Sequence, residues 1–517
     1  MLNMEVLTKK NSQISPGSLY QSLLQWAALQ PDAPAIVEAE TGHKLTYAQA
    51  LAGVNALCQF LGPAPRHVML AFPGGIANAL LWLSALSGGH HLIPVSPNAS
   101  DEEKSRVAQR HRPDVLCVEQ VGDADSFGCP HAAILPGSAC ETLIAQASSL
   151  TAFDPVEGQV YLTTSGTTGE PKYVALTERQ IAWTAEQVRG SHNLTSSDRG
   201  LTVLPFSHVN APVVSLCASL LAGGTVVIAR RFSRSHFWSW VERYAITWVS
   251  FVPTVVAMLL ETDCPAFLPG ALRFMRTGSA PLPPSDMLAF EARFGIPVIE
   301  TYGLSEAASQ IVANPIPPGV RKPGSAGLPS GVALRICYPR SGEKGEELRE
   351  VEPGETGEIC VAGPGIIDAY YENEGKESFQ DGWFRTGDLG YLDADGYLFI
   401  KGRQREVINR GGENIAPREI EEALLTYPAV QEAAAVGRPD PIYGEQPVAY
   451  LVVRADWDEQ AAQALRQHVA HLLSSQKVPV DFIVVEELPK NRTGKIQRRL
   501  LHMREQAQVS QLSHHMA

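Results

Sequence analysis

The stretch Tyr161-Leu-Thr-Thr-Ser-Gly-Thr-Thr-Gly-Glu-Pro-Lys172 gathers the residue types that hold phosphate. Strand-type residues run into small hydroxyls and glycines, and a lysine closes the run. Glycines such as Gly166 let backbone N–H groups approach an anion, and Thr163, Thr164, Ser165, Thr167 and Thr168 add hydroxyl donors. Lys172 brings charge to the outer phosphates. The pattern is not G-x-x-x-x-G-K-[ST], because Lys172 follows Pro171 and precedes Tyr173, which disfavours a P-loop NTPase. A Ser/Thr/Gly surface linker is the other reading of such a run, and the apolar residues flanking it on both sides argue against that.

A phosphate loop needs strands and helices to present it. Tyr20, Leu23, Leu24 and Ala27 recur at helical spacing after Ser18 and before Pro31, so the chain opens with an amphipathic helix. Strand-like and helix-like runs then alternate: Thr225 to Ala229, Ser235 to Tyr244, Thr247 to Phe251, Thr254 to Glu261, Leu272 to Met275, Ser285 to Phe294 and Pro297 to Thr301. Repeated units of this length predict α/β architecture with doubly wound parallel sheets, and ligands at the carboxyl ends of strands. After about Gly327 short strands and Gly, Pro and acidic turns such as Glu352-Pro-Gly-Glu-Thr-Gly-Glu358 predict a barrel-like antiparallel part. From Arg403 the pattern turns to a small α+β domain, with a helix from Pro417 through Leu424, strands at Ala433 to Val436 and Val448 to Val453, and a helix around Ala461 to Leu473. The expected organisation is a large domain over 1–402, divided into a sheet-and-helix part (1–326) and a barrel-like part (327–402), then a small mobile domain over 403–505. Residues 506–517 show no periodic face and are expected to fray.

Composition narrows the function classes. The 517 residues carry 42 Lys and Arg against 55 Asp and Glu, a net charge of −13 that disfavours nucleic acid and anionic membranes as partners. Hydrophobic residues at 44% and charged residues at 19% exclude a disordered or collagen-like chain. The 8 cysteines show no C-x-x-C spacing, which points away from zinc ribbons and disulfide scaffolds and towards a reducing cytoplasm. Lys9 and Lys10 are not followed by an apolar stretch, so no secretory signal is read. The uncharged stretch Ala211 to Ala229 is interrupted by Gly223-Gly224 before Thr-Val-Val-Ile, which predicts helix, turn and buried strand in place of a membrane span.

With these runs on the page, the chain resembles the adenylate-forming enzymes, which include acyl-CoA synthetases, non-ribosomal-peptide adenylation domains and luciferases. Further stretches match the family in order. Glu300-Thr-Tyr-Gly-Leu-Ser-Glu306 is similar to its second nucleotide motif, which implies Tyr302 stacked on adenine beside Gly303, Ser305 at the α-phosphate and Glu306 on Mg²⁺. Gly382-Trp-Phe-Arg-Thr-Gly-Asp388 resembles the stretch whose aspartate grips the ribose hydroxyls, here Asp388. Lys401-Gly-Arg-Gln-Arg-Glu406 resembles the hinge motif, with Arg403 near ribose and phosphate and Arg405 at the pivot, a place usually held by Asp or Lys. Gly411 and Gly412 look like the loop lining the thiol tunnel, and Leu488-Pro-Lys-Asn-Arg-Thr-Gly-Lys495 ends at the family's catalytic lysine position. The resemblance covers nearly the whole chain. It implies ATP, Mg²⁺ and coenzyme A, or a carrier-protein phosphopantetheine, as cofactors and acceptor.

Within the family the nearest likeness is to the oxalate-CoA ligase and 4-coumarate-CoA ligase-like branch. It runs through Ser305 to Pro318, Arg321-Lys-Pro-Gly-Ser325 and the Phe237-Trp238 pair. It implies an acyl pocket of His208, at its gate and among the catalytic residues, with Asn210, Arg276, Gly278, Ser279 and Ser309. The oxalate-like branch has histidine at the places of Asn210 and Ser309, so a second carboxylate would find no counter-charge beyond Arg276. A small or medium polar carboxylate is expected, with oxalate a poor substrate. The implied activity is an ATP-dependent acid–thiol ligase acting through an acyl-adenylate. The alternatives are an enzyme loading a carrier protein, a catalytically silent nucleotide-binding protein on the same scaffold, and a luciferase-like oxygenase.

Overall fold

The computed structural model describes residues 14–163, 172–262, 270–340, 347–373, 375–454, 457–490 and 494–515. The first helix, Ser18–Leu29, lacks a cap of its own. Its free N–H groups at Gly17 and Leu19 instead donate 2.9 and 2.8 Å to the Glu178 carboxylate, which lies buried at the start of a distant helix, Glu178–Ser191. That second helix begins with a capping box of Thr177 and Gln180. Pro253, Pro284 and Pro417 open three other helices, where a missing N–H costs nothing.

Two sheets form the bulk of the chain. In the six-stranded sheet the order is Ala133–Pro136, Val115–Val118, His67–Ala71, His91–Pro94, Gln159–Thr163 and Tyr173–Thr177. All neighbours are parallel except the last two, whose hairpin pairs Thr163 with Tyr173. The hydroxyl and glycine run is therefore the connection of that hairpin, and Thr164, Ser165, Gly166, Thr167 and Thr168 lie outside the described residues. The nine-stranded sheet is parallel through Val298–Leu304, Phe274–Thr277, Trp248–Phe251, Arg199–Thr202, Thr225–Ile228 and Pro34–Glu38, with antiparallel strands at both margins. Its inner strands Trp248–Phe251 and Phe274–Thr277 are buried along their whole length, as parallel strands covered on both faces must be.

The uncharged stretch forms a wide π-type coil over Asn210–Cys217, a helix over Ala218–Ala222, a left-handed turn at Gly223 and the strand Thr225–Ile228. No described helix is long and apolar enough to cross a membrane. Five antiparallel strands make up the part after Gly327, with Trp383–Leu392 pairing Gly357–Ala362 on one side and Leu398–Arg403 on the other. The small domain is built on the long hairpin Val430–Asp440 with Gly444–Val453, flanked by Asp481–Val484 in parallel and by Ile408–Arg410. One face packs on Ile420, Leu424, Leu465 and Val469, and the other on Leu488 and Leu501.

The C-terminus corrects one expectation. In place of a frayed tail after Glu505, a helix runs over Arg498–His515. Leu501 and Glu505 in its first turns are fully buried, and the Glu505 carboxylate accepts from the Tyr450 hydroxyl at 2.5 Å and from Arg438. A helix pinned at its start propagates cheaply, whatever the pattern beyond. Glu505→Ala should therefore cost about 3 kcal/mol, by leaving a buried phenol and a half-buried guanidinium without their acceptor. A chemical denaturation midpoint within experimental error of wild type would exclude that anchor.

Candidate active site

A cavity of about 1210 Å³ opens between the carboxyl ends of the large sheets, the five-stranded part and the small domain. Strand Val298–Leu304 delivers Ser305 and Glu306 to it on a single 3-10 turn, Ser305–Ala307. The chain then reverses through Ala308 at φ 51° and Ser309 at φ 113° into an antiparallel strand. The reversal is so tight that a Cβ on Gly303 would lie 1.5 Å from the Ser309 carbonyl oxygen, so only glycine fits there. Ser279 also has positive φ, 71°. Two serines in strained backbone thus line one cavity, each held at a cost of about 1–3 kcal/mol that the surrounding sheet must absorb.

At the nucleotide end, Asp388 and Arg403 are directly opposed on neighbouring strands and form an ion pair of 2.9 Å. The Tyr302 hydroxyl donates 2.5 Å to the other Asp388 oxygen. Tyr302 lies beside the cavity-lining Thr301 and Gly303, where its hydroxyl orients the aspartate. The Glu306 carboxylate accepts 2.7 Å from the Tyr370 hydroxyl. Lys172 pairs with Glu377 at 2.9 Å and lies 5.1 Å over the Tyr370 ring. Thr163 lines the same wall. Tyr370, Glu377 and Arg340 were not singled out from the sequence. They sit in segments without a motif, and only the fold brings them to the cavity.

The small domain contributes Lys495, Lys490 and Gln497 to this cavity. Burial, and next the Arg403 guanidinium, push Lys495 down to about 8. Gly494 before it, at φ 78°, rests on the large domain: a Cβ there would lie 2.4 Å from Thr254 Oγ1. Arg405 lines the cavity from the turn Gln404–Glu406, and burial lowers it first, the neighbouring Arg403 next. Gly411 and Gly412 are not brought to the site. They turn the chain between Ile408–Arg410 and Glu413–Ile415, where the Gly411 N–H donates 2.7 Å to the Tyr443 carbonyl.

At the other end lie His208, Asn210, Gly278, Ser279, Ser309 and Arg276. Arg276 Nη1 donates to Asn210 Oδ1 at 2.9 Å and to Ser250 Oγ at 3.3 Å, the Ser250 hydroxyl donates to the same Asn210 oxygen at 3.0 Å, and Asn210 Nδ2 reaches Ser279 Oγ at 3.5 Å. Ser250 was missed from the sequence because it occupies one position of a strand that otherwise reads as apolar core. The arrangement juxtaposes a cationic, oxyanion-ready nucleotide end with a small polar pocket, across one water-accessible space.

This fold and cleft define a nucleotide-dependent enzyme of two domains, and the chain belongs to the AMP-binding enzyme family, whose model matches residues 23–371, with the family's C-terminal domain matching 419–495. It is a ligase of the acyl-CoA synthetase type. It is similar to a sulfoacetate–CoA ligase from Cupriavidus necator, 39% identical over 91% of this chain and 95% of that one. It is also similar to an oxalate–CoA ligase from Arabidopsis thaliana, 39% identical over 67% of each. Among solved structures, the o-succinylbenzoate CoA synthetase MenE from Bacillus subtilis in complex with ATP and magnesium superposes with a TM-score of 0.79 at 28% identity, covering 93% of this chain and 98% of that one.

Two outcomes follow from this geometry. A lysine near 8 loses its proton as pH rises through that value, so kcat/KM for ATP should fall about tenfold per unit above roughly pH 8. In Lys495→Arg, cationic throughout, the fall should be absent; an unchanged profile would remove Lys495 from the reaction. Tyr370→Phe, which frees one Glu306 oxygen, should raise the Mg²⁺ concentration for half-maximal rate by about tenfold. A titration superimposable on wild type would show that the phenol orients nothing.

Proposed function

We propose that the chain activates a short polar carboxylic acid as its acyl-adenylate and passes the acyl group to coenzyme A. The observation that carries this reading is that Lys495 of the small domain lines the same cavity as Ser305, Glu306, Asp388 and Arg403 of the large one. A carboxylate is a poor electrophile. One of its oxygens attacks the α-phosphorus of ATP, pyrophosphate departs, and the mixed anhydride then carries a good leaving group. The thiol sulfur next attacks the acyl carbon, AMP departs, and the thiol proton passes to solvent.

Both first reactants are anions, so the site must supply positive charge where phosphoryl transfer develops negative charge. Lys495 does so from one side and Arg403 from the other, while Asp388 is placed to accept from the ribose hydroxyls. Ser305 offers its hydroxyl to the α-phosphate, and the hydroxyl loop with Lys172 holds the outer phosphates. Glu306 would be the carboxylate that holds Mg²⁺, since a single protein carboxylate completed by substrate phosphates suits that ion, and the ion would supply positive charge to the phosphates. His208 stands at the mouth of the acid pocket. Thioester formation needs Lys495 withdrawn and Gly412 brought in, so the small domain turns about Arg405 between the two half-reactions.

Lys495→Ala should lower acid-dependent exchange of pyrophosphate into ATP by roughly 100-fold or more, with a much smaller effect on thioester formation from supplied acyl-adenylate. Gly412→Leu should do the reverse, slowing only the second half. Equal losses in both halves would refute the division of labour, and absence of acid- and coenzyme A-dependent AMP release by wild type would refute the ligase reading.

A further inference from the structure

Arg276 stands apart from the other buried guanidinium groups. Arg385, also on the cavity wall and buried, pairs with Glu358 at 2.8 Å. Arg418, buried as well, pairs with Glu422 at 2.7 Å, and the half-buried Arg498 and Arg403 pair with Glu421 at 2.6 Å and Asp388 at 2.9 Å. Arg276 is 2% exposed, and among the described residues no carboxylate pairs with it. Its Nη1 meets only the neutral oxygens of Asn210 and Ser250, and its Nε has no partner. His192, buried behind Arg276, is held neutral by burial first and by that guanidinium next. Burial without a counter-charge also lowers Arg276, to about 9.

Buried charges in folded proteins are paired, and a cation left unpaired on a cavity wall is a vacant half of an ion pair. The hydroxyls of Ser279 and Ser309 and the Asn210 amide surround it with neutral hydrogen-bonding groups. We propose that Arg276 receives a second anionic group of the acid, a sulfonate or a carboxylate at the end remote from the carboxylate that is adenylated, so that the substrates are short dianionic acids. This rests on the acid–coenzyme A ligase reading. It also revises the expectation drawn from Asn210 and Ser309. Those positions bring no charge, but the pocket has one, and no carboxylate among the described residues pairs with it. The two neutral side chains then serve to spread donors around an oxyanion whose charge is met by Arg276.

The test is acid-dependent AMP formation by the full-length chain with ATP, Mg²⁺ and coenzyme A, using sulfoacetate, malonate and methylsulfonylacetate. The last has the same reactive carboxylate and a tail of similar shape without the second charge. In wild type kcat/KM for sulfoacetate or malonate should exceed that for methylsulfonylacetate by roughly 100-fold, and the better of the two dianions tells sulfonate from carboxylate. Arg276→Met should bring that ratio close to one, chiefly through KM for the dianion, and Arg276→Lys should restore part of it. Should the buried position prevent the Met variant from folding, the wild-type ratio and Ser279→Ala, expected to lower it by about tenfold, decide the matter. Equal use of the charged and uncharged acids by wild type overturns the inference and leaves the ligase reading in place, as does a ratio preserved in Arg276→Met. Failure of every acid, short monocarboxylates included, overturns the ligase reading and this inference with it.

Discussion

The ion pair between Asp388 and Arg403 is the point on which the rest of the site turns. The two residues are cross-strand neighbours at the end of the five-stranded part, where the large domain gives way to the small one. Asp388 is also the acceptor for Tyr302, which ties the strand end to the motif that carries Ser305 and Glu306. Burial lowers both Lys495 and Arg405, and Arg403 beside them lowers them further. Cations are thus crowded where a polyphosphate belongs, and a few carboxylates hold them apart until it arrives. Removing the aspartate would release a mutual repulsion that only bound nucleotide could quiet.

Much of this was legible in sequence where chemistry is local. The alternation of strand and helix and the lysine at 495 are each set by neighbours along the chain. The opposition of Asp388 to Arg403 was not, because register belongs to the pairing of two strands and cannot be read from either one. The same holds for Tyr370 at Glu306 and Ser250 at Asn210. In both pairs the partner lies tens of residues away, in a segment whose own pattern announces only an ordinary turn or strand. The C-terminal helix misled for the opposite reason. Its residues lack an amphipathic face beyond Glu505, yet one buried carboxylate fixes the first turns, and the remainder follows by propagation.

The acid pocket shows how a residue can be seen and misjudged. Arg276, adjoining Thr277-Gly-Ser-Ala, could have been an ordinary ion-pair partner at a strand end. Only the three-dimensional inventory of carboxylates distinguishes it, since among the described residues none pairs with it. A missing partner has no sequence signature. It becomes visible only when the partners of all similar groups are known.

The seating of Gly494 against Thr254 gives the two domains a meeting surface without an interlocking tooth. At that spot backbone meets a threonine hydroxyl, with no room for a Cβ between them. Under the proposed turn of the small domain, such a smooth bearing adds no rotamer barrier at this contact. A methyl group added to the bearing would act as a wedge, holding the lysine away from its work even in a protein whose chemistry was otherwise complete.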